Sequence, residues 1–286
     1  MHTSSASADP TVIQLGHSPD SDDAFMFYGL AKHLVDSEGL EFHHTLQDIQ
    51  TLNEWARAGK LECTAISVHA YTQVSDRYAI LTHGASMGDG YGPIVVTRTP
   101  CTPEELCSLT IAIPGLMTSA FLALSLFLPK PFKHVVMPFD QIMEAVANGE
   151  QEAGLLIHEG QLTHGRLGLH CSADLGRWWK DDTGLPLPLG VNAIRKDLSP
   201  ETQAKVSRAL KASIAYALDH RAAGVEHALQ YARDMDADTA DRFVGMYVND
   251  WTLEMGDAGR RSIELFLQRG ADKGVSPPVS AVEFVE

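Results

Sequence analysis

From residue 11 onward, short apolar runs alternate with stretches whose apolar positions recur at helical spacing. "TVIQLGHS" predicts a strand, "PDSDD" an acidic turn and "AFMFYGLAKHLVD" a helix, so the chain opens with a β-loop-α unit. "LEFHHTLQ" predicts a second strand, "DIQTLNEWARAG" a helix capped by Asp48 and stopped at Gly59, and "LECTAISV" a third strand. This βαβαβ order implies a mainly parallel sheet covered by helices. After the glycine-rich "HGASMGDGYG", the apolar run "PIVVTR" leaves the first unit and the rhythm restarts. It continues through "LTIAIPG", the helix "MTSAFLALSLFL", the strand "KHVVMPF", a helix "DQIMEAVANGE" with Asp140 as N-cap, and the strand "EAGLLIHEG". "TGLPLPLGVNAIRK" reads as a returning strand, and a helical tail follows in "SPETQAKVSRALKASIAYALDHR", "GVEHALQYARDM", "DADTADRFVGMYVND" and "EMGDAGRRSIELFLQRG".

Two βαβ regions joined by two apolar crossovers predict an α/β protein of two lobes, the second inserted into the first. Lobe I takes residues 1–97 and 190–286, and lobe II takes 98–189. A cleft between such lobes is a favoured ligand site.

Composition narrows the partners. The 286 residues can bury two modest cores, and contents of 44% hydrophobic and 21% charged residues are those of a folded globular chain. Lys and Arg number 22 against 37 Asp and Glu, a formal net charge of −15, with no basic patch to offset it. That surplus repels phosphate backbones and anionic membranes, so neither nucleic acid nor a membrane is expected as a partner. "MHTSSASADP" has neither the basic region nor the apolar stretch of a signal peptide. The greasiest segment, "AFLALSLFLP", is far shorter than the roughly 18 to 20 residues a spanning helix needs. A cytoplasmic location is expected. Cys63, Cys101, Cys107 and Cys171 form no C-x-x-C pair and read as free thiols.

In open parallel sheets, ligands gather beyond the carboxyl ends of the strands. Those ends supply His17, Ser18 and the acidic run 20–23, then Ser67, then Thr118 and Ser119, and finally His158. Each has a structural alternative. Thr118 and Ser119 either hold a carboxylate or cap their helix, Ser67 either binds or turns the chain, and Asp20 or Ser21 is a plausible N-cap with Asp22 and Asp23 in the first helical turn. Asp23 is left open to the cleft. His158 ends a buried run, where an imidazole either takes and returns a proton or serves the backbone as a structural histidine. Glu159 either orients that ring or caps the next helix. His164 follows His158 by six residues rather than four, and His43 and His44 point to opposite strand faces, so no metal site is expected. The "MGDGYG" glycines lack the dinucleotide order, and neither a G-x-S-x-G elbow nor a Walker loop occurs. Trp178 and Trp179 read as core or interface anchors.

Taken together, "GHSPDSDDAFMFYGL", "DIQTLNEWARAGKLECTAIS", "YAILTHGASMGDGYGPIVV", "IPGLMTSAFLALSL", "GLLIHE" and "LGRWWKDDTGLPLPLG" resemble the 1,4-dihydroxy-6-naphthoate synthases, the MqnD family of menaquinone biosynthesis. The resemblance runs from about residue 12 to the carboxyl terminus. It implies a type II periplasmic-binding-protein fold turned to catalysis in the cytoplasm. The implied reaction converts cyclic dehypoxanthinyl futalosine to 1,4-dihydroxy-6-naphthoate and dihydroxyacetone, a lyase reaction with neither metal nor organic cofactor. The implied partner is a small-molecule carboxylate substrate, and a homodimer is left open. Residue by residue, His158 matches the family's proton acceptor, Thr118 and Ser119 its substrate-binding hydroxyl pair, Ala65, Ile66 and Ser67 a further substrate contact, and Asp23 an acidic residue at the cleft. The first loop departs from the family: it reads "HSPDSDD" where a cysteine, a proline and an asparagine are common, so His17, Asp20 and Asp22 bring extra groups close to an expected carboxylate. Two other readings belong to the same fold. A non-catalytic solute-binding protein would require export or a lipid anchor, and the sister enzyme that dehydrates chorismate fits "GLLIHE" and "TGLPLPLG" less well.

Overall fold

The computed structural model describes residues 11–231 and 236–286, so the polar amino terminus and the end of "GVEHALQYARDM" lie outside the described residues. The strands are β1 (Thr11–His17), β2 (Leu40–Leu46), β3 (Cys63–Ser67), β4 (Tyr78–Leu81), β5 (Ser86–Gly88), β6 (Ile94–Thr97), β7 (Thr110–Ile113), β8 (Lys133–Val136), β9 (Ala153–Leu156), β10 (His170–Asp174), β11 (Leu187–Arg195) and β12 (Phe284–Val285). One sheet has the order β12-β4-β11-β3-β1-β2 with β5 beside β11, and the other β10-β6-β9-β7-β8. β1 runs parallel to β2 and β3, and the returning β11 runs antiparallel to β3 and β4. In the second sheet β7 is parallel to β8 and β9, while β6 is antiparallel to β9 and β10.

The chain leaves the first sheet after β5 and re-enters it with β11, so the exchange points differ slightly from 97 and 190. "IVVT" is buried throughout and hydrogen-bonded on both sides, which makes it an interior strand of the second sheet rather than the end of the first lobe. β11 already pairs with β5 from Leu187.

Two local expectations are corrected. The helix expected over "AFMFYGLAKHLVD" is broken into Ser21–Met26 and Tyr28–Ala31. Ser213, from the distant helix Pro200–Asp219, donates its hydroxyl to Met26 O (2.8 Å) and accepts from Leu30 N–H (3.2 Å). It thus occupies the i to i+4 position of the ladder, where an inserted side chain breaks a helix. Asp140 does not cap its helix: Phe139–Ala147 starts after Pro138, and Asp140 sits in the first turn, where its charge still complements the helix dipole.

Asp48 does cap its helix, accepting from Thr51 N–H at 3.1 Å, and Gly59 follows that helix in the left-handed conformation. Trp179 is fully buried, donates from Nε1 to Ser262 Oγ (3.2 Å) and meets Phe266 edge-on. It therefore locks the tail helix Gly256–Asp272 to the helix Leu175–Thr183. Among the described residues no helix is long and apolar enough to cross a membrane.

Candidate active site

The carboxyl ends of β1, β3, β7 and β9 converge on one cavity that opens to solvent. Asp23, Ala65, Ile66, Ser67, Thr118, Ser119 and His158 all border it, with Asp20 and Asp22 beside them. The four strand ends picked out in the sequence therefore meet in space.

His158 stands two residues past β9, with backbone φ of +61°. This left-handed conformation is uncommon outside glycine. Its Nδ1 lies 3.1 Å from Asp20 Oδ2, and its ring meets Phe139 edge-on at 4.6 Å. Asp20 stands at the N-cap position of the helix Ser21–Met26, but its carboxylate makes no cap bond and accepts instead from the Ser18 hydroxyl.

The neighbouring acids behave differently. Burial, followed by the charges of Asp23 and Asp20, pushes the Asp22 carboxyl well above the usual carboxylate range, and His158 only partly offsets this. Burial pushes Asp23 up as well, although its Oδ2 accepts from Ser18 N–H at 2.6 Å. Burial thus favours the proton-bearing form of both carboxyls, which lessens the negative charge on the wall expected to face a carboxylate. His17 does not face the cavity. Its Nδ1 donates to Ser18 O (3.0 Å), its Nε2 meets His44 Nδ1 (3.0 Å), and burial lowers its pKa to about 3, so it is a neutral structural histidine.

The hydroxyls are engaged within the protein. Thr118 caps the helix Ser119–Phe127, donating to Gly115 O (2.8 Å) and accepting from Phe121 N–H (3.2 Å). Ser119 donates to Leu189 O (2.5 Å) and accepts from His69 N–H (3.2 Å). What this turn can offer an anion is its leading backbone N–H groups, the usual unpaired donors of a helix start. Ser67 is gripped by Asn53, which accepts from Ser67 N–H (2.8 Å) and donates to its Oγ (3.1 Å).

Several cavity residues had no signal in the sequence. Gln161 and Tyr247 come from the short helix Gly160–Thr163 and the tail helix Ala237–Tyr247. With the Gln161 amide oriented to satisfy its neighbours, its nitrogen donates to Gly92 O (2.6 Å) and its oxygen accepts from Tyr247 OH (2.9 Å) and His158 N–H (3.3 Å). Asn192, on β11, donates to Gly84 O (3.2 Å), while its buried Oδ1 has no partner among the described residues. His164 bonds Gln161 O rather than joining His158, and among the described residues no group of three or more His, Cys, Asp or Glu side chains is arranged to hold a metal.

Two α/β lobes with strand ends facing a shared cleft define the periplasmic-binding-protein class. A Candida albicans gene product described as having that generic fold matches with a TM-score of 0.69 at 10% identity, covering 92% of this chain and 95% of its own. A family model described as menaquinone biosynthesis matches residues 13–272, and the chain belongs to that family. It is 38% identical over 273 residues, 96% of this chain and 99% of the relative, to the 1,4-dihydroxy-6-naphthoate synthase of Thermus thermophilus. A crystal structure of an Archaeoglobus fulgidus protein matches with a TM-score of 0.89 at 45% identity, covering 92% of this chain and 98% of that one.

Proposed function

We propose that this chain is a carbon-carbon lyase that converts cyclic dehypoxanthinyl futalosine to 1,4-dihydroxy-6-naphthoate and dihydroxyacetone, with His158 as general base. The observation that carries this reading is the placement of His158: one imidazole, just past the end of a buried strand, on the wall of the interlobe cavity. An imidazole there can take a proton from the substrate and return it later. The base takes a proton from the sugar portion, the carbon-carbon bond breaks, and its electron pair passes into the ring that becomes aromatic. Aromatisation supplies the driving force, and the three-carbon fragment leaves with its oxygens intact. The substrate carboxylate is held by the leading N–H groups at Ser119 and Ala120, with the buried carboxyls of the β1 loop opposite. Ala65, Ile66 and Ser67 form the floor.

Purified protein incubated with cyclic dehypoxanthinyl futalosine is expected to release 1,4-dihydroxy-6-naphthoate, followed by chromatography. His158→Ala is expected to lose at least about a hundredfold in kcat, the scale of a removed general base, with an unchanged unfolding midpoint. No product from folded wild type, with the substrate still bound, would replace the lyase reading with that of a binding protein.

A further inference from the structure

Asp20 has left its expected task. It holds the N-cap position of the helix Ser21–Met26 without capping it, and points its carboxylate at Nδ1 of His158, 3.1 Å away. The two residues belong to different lobes: Asp20 follows β1 in the first sheet, and His158 follows β9 in the second. Both are withdrawn from bulk water, with 5% of the Asp20 side chain and 16% of the His158 side chain exposed, so water screens the contact weakly. Ser18 donates its hydroxyl to the same carboxylate oxygen and fixes its direction. The ring has little freedom to answer otherwise, because its backbone is in the left-handed region and Phe139 stands edge-on against it.

We propose that Asp20 is the positioning residue of this site: it keeps the proton of neutral His158 on Nδ1, leaves Nε2 as the basic nitrogen, and does so only while the lobes stand together. The inference rests on reading His158 as the base. A carboxylate accepts hydrogen bonds and cannot donate, so the nitrogen facing it must carry the N–H. Once Nε2 has taken the substrate proton, the adjacent anion stabilises the imidazolium. Because the partners sit on separate lobes, opening the cleft removes Asp20 from the ring and returns His158 to the tautomer mixture of a solvated imidazole.

The test uses the full chain labelled with ¹⁵N-histidine, with the His158 signals identified by their loss in His158→Gln. Wild type is expected to show the Nδ1–H tautomer. Asp20→Leu, close in volume and unable to accept, is expected to shift His158 toward Nε2–H and to lower kcat about 10²- to 10⁴-fold, as with other histidines deprived of an orienting carboxylate. KM is expected to stay within about threefold, since Asp20 is assigned no substrate contact. Asp20→Glu should restore part of the Nδ1–H signal and part of kcat. If Asp20→Leu does not fold, Ser18→Ala carries the same test, with a smaller loss in the same direction. An Nε2–H tautomer in wild type, or a folded Asp20→Leu with unchanged tautomer or unchanged kcat, overturns the proposal. If wild type fails to turn over the proposed substrate, the function reading falls, and the tautomer spectra still decide whether Asp20 holds the ring.

Discussion

Asp22 shows how a single residue can be placed by the sequence, here in the first turn of the helix Ser21–Met26, and still keep its charge state hidden. The acidic run was legible, and so was its place beside a cleft, but its charge state was not, because that depends on burial and on two neighbouring carboxylates. A carboxyl whose folded pKa is raised contributes its stability below the unfolded value near 4, and loses it as pH rises through the folded value. Asp22→Asn removes this dependence. The variant is expected to match wild type in denaturant unfolding near pH 4 and to exceed it by about 1–2 kcal/mol at pH 9, a range kept small because Asp22 retains some exposure to cleft water. With an anionic substrate, the wild-type KM should rise with pH as the acids ionise, and the variant's should rise less. Parallel stability curves for the two proteins would show that Asp22 is an ordinary ionised acid. The hydroxyls of Thr118, Ser119 and Ser67 teach the complementary lesson: their positions at strand ends were legible, but their bonds to Gly115, Leu189 and Asn53 were not, since those partners are set by tertiary packing.

At the scale of elements, what was legible was whatever a local period records. The strands β1, β2, β3, β6, β7, β8, β9 and β11, the Asp48 cap and the Gly59 stop follow from neighbouring residues alone, whereas β4, β5, β10 and β12 carried no strand reading. The break near Phe27 does not, because its cause, the Ser213 hydroxyl, arrives from a helix almost two hundred positions later. The Asn53 clamp belongs to the same kind. Asn53 lies on the helix Ile49–Arg57, is fully buried, and ties that helix to the end of β3 through both its amide atoms. Asn53→Ala leaves Ser67 N–H buried without its acceptor, which costs about 1–3 kcal/mol for the orphaned group besides the lost bonds. A fall in thermal midpoint of several degrees is expected, with kcat reduced because the β3 end that floors the cavity loosens. A midpoint within one degree of wild type would mean that water or a side-chain shift replaces the clamp.

For the whole molecule, one restart of the βαβ rhythm between two apolar crossovers sufficed to infer an inserted lobe, but nothing local says where a helical tail comes to rest. The tail returns to the cleft. Tyr247 is 4% exposed, its hydroxyl donates to the side-chain oxygen of Gln161 in the second lobe (2.9 Å), and its ring stands edge-on to Tyr91 in the crossover between the lobes. Burial pushes the Tyr247 hydroxyl far above its ordinary pKa, so it remains a neutral donor under all working conditions. Tyr91 in turn donates to Met246 O, next to Tyr247 in the chain. First-lobe tail, crossover and second lobe therefore meet at one point beside His158, and Gln161 passes that contact to the His158 backbone. Tyr247→Phe deletes the hydroxyl and keeps the ring packing, for a stability cost of about 1 kcal/mol. Because the lost bond joins the lobes and touches no reacting atom, the expected kinetic result is a KM raised several-fold with kcat within about twofold, the pattern of lost uniform binding. A fall in kcat at constant KM would instead place Tyr247 among the groups that meet the transition state, and the tail would then belong to the chemistry as well as to closure.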